Sequence, residues 1–258
     1  MTTAGDGDRR VVLVTGGARG LGRGLVDAFA NHGDQVVTCG RREPESGTEA
    51  APFIICDVRD PEQAAHLVDE VVERFGRLDV LVNNAGGAPY AAAATMSPRL
   101  FERIVSLNLL APFYVAQRAN GVMQGQAGGG VILNIGSAAV LRPAPNFAPY
   151  NAAKAGLVGL TRSLAMEWAP KVRVNLVSVG ILRTERVGEY YGSDPAAVDA
   201  TIPMGRMATP ADVGALCIML ASPAAGYVTG ADVMVDGGGE EPAFLRAVVP
   251  EQPHEQPS

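Results

Sequence analysis

Cysteine and histidine are scarce in this chain, with three of each. Cys39, Cys56 and Cys217 stand isolated in apolar surroundings, and none has a histidine at ligand spacing. They read as small buried hydrophobes in a reducing compartment, so neither a disulfide framework nor a metal site is supported. His32, His66 and His254 fall at a helix end, on a helix face and in the C-terminal tail. None is placed as a general base or a metal ligand. Positive charge is also in deficit, with 21 Lys and Arg against 27 Asp and Glu and a net charge of −6, which argues against a nucleic-acid partner. No uninterrupted apolar run approaches the roughly 18 residues of a membrane-spanning helix. Met1 is followed by TTAGDGDRR, which lacks the charged-then-apolar layout of a signal peptide, so no membrane partner and a cytoplasmic location are expected.

What the chain has is aliphatic content and glycine. Hydrophobic residues make up 47% although aromatics supply only 5%, and the 31 glycines punctuate a regular alternation. Apolar, strand-like runs occur at 9–15, 35–40, 52–56, 78–86, 130–137, 172–180 and 231–238. Helical periodicity fills 21–31, 61–75, 97–123, 150–169 and 210–221. In the second of these helices Asp60 can cap, Pro61 suits the first turn and Gly76 stops the chain. Strands that are apolar on both faces and alternate with helices require helical cover on both sides. The expectation is one α/β domain over 9–239, a doubly wound, Rossmann-type parallel sheet of seven strands, with no internal repeat and no linker. Residues 1–8 and 240–258 read as tails, although AFLRAVV in the second could dock on a neighbouring subunit. The weakly periodic excursion at 181–209 reads as a functional lid.

The first strand ends in TGGARGLG, which places Gly16, Gly20 and Gly22 between strand and helix, with Arg19 and Leu21 in the same turn. A glycine turn there lets the backbone approach a pyrophosphate whose charge faces the helix N-terminus. Dinucleotide sites carry an acid at the end of the second strand when the ribose 2′-hydroxyl is free, and a nearby arginine when it is phosphorylated. Here that strand ends TCGRR, with Gly40 at the acidic position followed by Arg41 and Arg42. This indicates NADP(H), with Arg41 as phosphate partner and Arg19 as a possible second. NAD(H), with both arginines solvated, stays open as the alternative.

Tyr150 and Lys154 are one helical turn apart on a common face. A phenol with an ordinary pKa of about 10 works near neutral pH only when its phenolate is stabilised, which an adjacent ammonium does. Ser137 ends a strand 13 residues earlier, close enough for a loop to return it over the tyrosine. The strand-end features Gly16, Asn84, Ser137 and Gly180 all lie at the carboxyl edge of the sheet, where open parallel sheets bind ligands.

With TGGARGLG, Asp57 after the third strand, NNAG at 83–86, Asn108, Ser137, YNAAK at 150–154 and VDGG at 235–238 in order, the chain resembles the short-chain dehydrogenase/reductase family from Val11 to about Gly238. That resemblance implies Tyr150 as general acid/base, Ser137 orienting the substrate oxygen and Lys154 lowering the tyrosine pKa while holding the nicotinamide ribose. Asn108 would position a water for proton relay. It further implies that Asp57 and Val58 contact adenine, that Asn84, Ala85 and Gly86 line the adenosine side, and that Gly180, Ile181 and Thr184 hold the nicotinamide end. Val179 departs from the family's usual proline, which puts the rigidity of that loop in doubt. A homotetramer or homodimer is implied, with the helices at 97–123 and 150–169 forming one interface. The substrate is a small-molecule ketone or alcohol. Apolar residues in the lid (Tyr190, Tyr191, Met204) and before the catalytic helix (Leu141, Pro143, Pro145, Phe147) favour a bulky one, unless they simply pack the lid onto the sheet. A non-catalytic NADPH-binding regulator is the rival class.

Overall fold

The computed structural model describes residues 9–44, 51–142, 144–185, 187–188, 192 and 194–240. Both expected tails, except Glu240, and the lid residues Tyr190 and Tyr191, with Pro143, lie outside the described residues. The seven strands are β1 (Val11–Thr15), β2 (Gln35–Gly40), β3 (Phe53–Ile55), β4 (Val80–Asn83), β5 (Gly130–Ser137), β6 (Val172–Val179) and β7 (Asp232–Val235). All pair in parallel in the order β3-β2-β1-β4-β5-β6-β7. The order reverses between β1 and β4, which opens a crevice at their carboxyl ends.

The buried runs on both strand faces make two cores. Val11, Leu13, Val37, Leu81, Ile132 and Val174 point to one side, under α2 (Pro61–Phe75), α4 (Ala111–Gly125) and α5 (Ala148–Trp168). Val12, Val14, Val36, Val82, Leu133 and Val177 point to the other, under α1 (Gly20–His32) and α7 (Pro210–Leu220). The helix ends are set locally: the Asp60 carboxylate accepts from the amides of Glu62 and Gln63, Pro61 needs no amide partner, and Gly76 terminates α2 in the left-handed region at φ 74°. No helix among the described residues is long and apolar enough to cross a membrane.

The structure corrects two expectations and adds detail to a third. The single helix expected over 97–123 is two, α3 (Pro98–Val105) and α4, joined by a π-helical turn at Ser106–Leu110. Pro112 is the physical reason: it has no N–H for the Asn108 carbonyl, and the register slips so that the Ala111 amide bonds Ser106, five residues back. The excursion at 181–209 contains a short helix, α6 (Pro195–Asp199), and its ends are tied together by a bridge between Leu182 and Ala208. The cysteines are all buried and free, but Cys39 and Cys56 are not isolated: the neighbouring Cys56 thiol, together with burial, holds Cys39 above its ordinary pKa, and Cys56 Sγ itself donates to the Gln63 carbonyl at 3.5 Å.

Candidate functional site

The glycine turn is held open by its neighbours. Gly16 takes φ 71°, and its amide bonds the Cys39 carbonyl at 3.0 Å. A Cβ on Gly22 would stand 2.1 Å from the Gly16 carbonyl oxygen, so α1 can approach the turn only with glycine there. Thr38 on β2 accepts from the Gly17 amide at 2.9 Å, and Asn84 donates its side-chain amide to the Thr15 carbonyl at 2.9 Å. Asn84 therefore braces the turn from the β4 side. The first helical amide, Gly20 N–H, donates to the Glu185 carboxylate at 2.9 Å. The protein's own carboxylate thus occupies the position where the helix N-terminus favours negative charge.

At the end of the crevice beside β2 and β3, Gly40 closes β2, and Arg41 and Arg42 follow, exposed. The Asp57 carboxylate is engaged by Arg59 Nε at 2.8 Å, and that hydrogen bond, with Arg41 contributing at longer range, holds it below the usual carboxylate range. Val58 is buried beside it. A cavity of about 640 Å³ opens here, lined by Asp57, Arg59, Asp60, Glu62, Arg103 and Ser106. Arg19 lies exposed at the N-cap of α1 and its side chain makes no cap hydrogen bond.

The opposite end of the crevice is buried. Lys154 is 4% exposed, donates to the Ile135 carbonyl at 2.7 Å, and lies with Nζ 5.7 Å from the Tyr150 ring centre. Burial lowers its pKa to about 8. Asn108, fully buried in the π turn, grips Gly87 by both backbone groups at 2.9 Å and donates to the Ile104 carbonyl. Gly86 lies between them: a Cβ there would meet Asn108 Oδ1 at 2.9 Å and Lys154 Nζ at 3.6 Å. The structure therefore gathers Gly86, Asn108, Tyr150 and Lys154 in one corner. Ser137 ends β5 in register with Val179, and its Oγ accepts from the Ala139 amide at 3.2 Å, which leaves its own proton for another acceptor.

At the end of β6, Val179 completes the ladder between Ser137 and Val235, so the sheet supplies the order that a proline would have imposed. Gly180 is required by Asp236, whose Cβ would lie 2.6 Å from a Cβ at position 180. Ile181 accepts from the Ala208 amide at the lid base, and Thr184 approaches the glycine turn at Gly20.

Four residues escaped the sequence reading. Thr38, Arg59 and Glu185 carry no motif, because only folding brings each to its partner. Tyr90, seven residues beyond Asn83, packs against Phe147 with the rings tilted by 56° and centroids 4.4 Å apart, and Phe147 meets Tyr150 edge-on at 6.0 Å. An aromatic following NNAG was the one available signal.

Residues 16–240 match the family described as Enoyl-(Acyl carrier protein) reductase. The 3alpha-hydroxysteroid dehydrogenase of Mediterraneibacter gnavus is 37% identical over 240 residues, spanning 88% of this chain and 96% of that protein. The ligand-free aldohexose dehydrogenase of Thermoplasma acidophilum superposes with a TM-score of 0.83 at 30% identity, covering 98% of this chain and 99% of that one. A short chain dehydrogenase from Bacillus anthracis superposes at 0.78 with 29% identity, covering 89% and 95%. The chain belongs to the short-chain dehydrogenase/reductase family, oxidoreductases that interconvert alcohols and carbonyl compounds with a nicotinamide cofactor.

Proposed function

We propose that the protein is an NADP(H)-dependent carbonyl reductase that interconverts a bulky or apolar ketone and its secondary alcohol through Asn108, Ser137, Tyr150 and Lys154. The observation that carries the chemistry is the buried Lys154 ammonium beside the Tyr150 ring. Out of water, its charge acts on the phenol with little screening and favours the phenolate. In the reducing direction Tyr150 donates its proton to the substrate oxygen as negative charge develops there, and Lys154 stabilises the tyrosinate left behind. Ser137 donates a second hydrogen bond to the same oxygen. Asn108 and Gly87 hold the backbone beside Lys154, so the ammonium keeps its aim as the proton moves. The bound nicotinamide supplies or accepts the hydride.

Gly16, Gly20, Leu21 and Gly22 would cradle the pyrophosphate, with Asp57, Val58, Asn84, Ala85 and Gly86 along the adenosine and Gly180, Ile181 and Thr184 at the nicotinamide. The absence of an acid at Gly40, with Arg41 next, supports NADP(H). A calorimetric titration decides this, with NADPH expected to bind more tightly; tighter binding of NADH would overturn it. The aromatic cluster of Tyr90 and Phe147 against Tyr150, with Leu141 67% exposed nearby in sequence, supports an apolar or bulky substrate such as a steroid, a polyketide-like ketone or a 3-oxoacyl thioester. A panel of such ketones beside small polar sugars, read by NADPH consumption, tests it, and turnover confined to the sugars would refute it. A homotetramer or homodimer through α3, α4 and α5 is supported by exposed Phe101, Leu110 and Met166, and light scattering of a monomer would refute that.

A further inference from the structure

Gly40 stands where a site for unphosphorylated ribose would carry an acid, yet its backbone does not call for glycine. It is an ordinary strand residue, paired with Ile55. What crowds a side chain there is a neighbour on β3: a Cβ built on Gly40 would lie 3.0 Å from Cζ and 3.5 Å from Cε2 of Phe53, so the ring would have to give way by a few tenths of an ångström. Phe53 pairs with Thr38, two residues before Gly40. Because strand side chains alternate, positions 38 and 40 share a face, and that face is the one on which Thr38 holds the Gly17 amide. The Phe53 ring therefore leans two residues forward along β2, across its end.

We propose that Phe53 is a cofactor-selectivity residue. Its ring tip crowds the place where an acidic side chain at position 40 would begin, so a carboxylate there needs the ring to move. The end of β2 is thereby kept free of a carboxylate that would bind a ribose diol and repel a 2′-phosphate, and Arg41 is left as the first charged group there. The inference rests on the NADP(H) reading. It adds that selectivity is held by two positions in contact, so the two must act non-additively.

The test is a calorimetric measurement of NADPH and NADH dissociation constants for the native protein, Gly40→Asp, Phe53→Ala and the double variant, with folding checked by circular dichroism. Gly40→Asp alone is expected to weaken NADPH without tightening NADH, because the new carboxylate meets the ring. Phe53→Ala alone keeps the order of preference. The double variant is expected to tighten NADH by about tenfold over Gly40→Asp, the scale of a charge-assisted hydrogen bond gained. Equal NADH affinity in Gly40→Asp and the double variant would overturn the proposal. Phe53→Leu, which removes the ring tip and keeps an apolar strand residue, gives the same comparison if the alanine variant does not fold. A native protein that prefers NADH would defeat the NADP(H) reading, and the coupling between positions 40 and 53 in NADH binding would still decide this one.

Discussion

The two ends of the crevice are built by different physics. At the catalytic end Lys154 and Asn108 are almost without solvent contact, and every bond they make among those described goes to a backbone group: Ile135 for Lys154, and Gly87 and Ile104, the latter one helical turn back, for Asn108. At the adenosine end Arg41 and Arg42 are exposed, and Asp57 and Arg59 pair in partial contact with water. Buried polar groups are costly when mispaired and hold a single geometry; exposed charges are screened, adaptable and individually weak. Catalysis needs the first kind of site, and recognition of a charged cofactor tolerates the second. Substitutions at the catalytic end should therefore have large, salt-insensitive effects, and those at the adenosine end small, salt-sensitive ones.

The largest effect is expected from Tyr150→Phe, which removes the only proposed proton donor while leaving the ring that packs on Phe147. Turnover should fall by about 10²- to 10⁴-fold, the usual contribution of general acid–base catalysis, with NADPH affinity preserved. Steady-state kinetics beside a cofactor titration check it, and near-native turnover would remove Tyr150 from its role.

Lys154 gives a prediction with a sign. Burial lowers its pKa from the ordinary 10.5 to about 8, so between those values the unfolded chain holds the proton that the folded chain has released. Stability from this group thus rises with pH across that window, and below pH 8 the folded protein bears the full cost of the buried charge. At roughly 1.4 kcal/mol per pKa unit this cost is about 3 kcal/mol. Lys154→Met should be inactive, yet more stable than the native protein at pH 7 by up to that amount, with the difference closing toward pH 10.5. Denaturant melts along a pH series measure it, and a constant difference across the series would contradict the buried charge.

Arg41→Ala should weaken NADPH on the order of tenfold at low salt and leave NADH unchanged, since one charge-assisted contact to the 2′-phosphate is lost. Titrations at two ionic strengths check it. The loss should shrink in high salt, and an equal loss for both cofactors would place Arg41 elsewhere in the site.

The same contrast explains how much could be read from the chain. The strands were legible because the central ones are apolar on both faces, and Tyr150, Lys154 and Ser137 because their spacing follows strand ends and helix turns. The π turn was signalled by Pro112 but masked by the continuous periodicity on either side of it. Phe53, Arg59 and Glu185 were illegible for another reason. Phe53 matters only because β3 places it beside Gly40, and Glu185 only because the lid base brings it to Gly20. No local pattern encodes either contact.

Glu185 supplies the smallest and most diagnostic effect. Its carboxylate accepts from the first amide of α1, so it satisfies the helix N-terminus with the same kind of charge a pyrophosphate would bring. Cofactor entry must break that contact and set two anions near one another, whereas a glutamine would hold the amide with a neutral oxygen and yield more readily. Glu185→Gln should therefore tighten NADPH and NADH alike, by about two- to fivefold at low salt, as expected for a charge at an exposed helix terminus. The gain should fade as salt screens the carboxylate. An effect confined to NADPH would implicate the 2′-phosphate end instead, and a loss of affinity would mean that Glu185 supports the bound cofactor and does not compete with it.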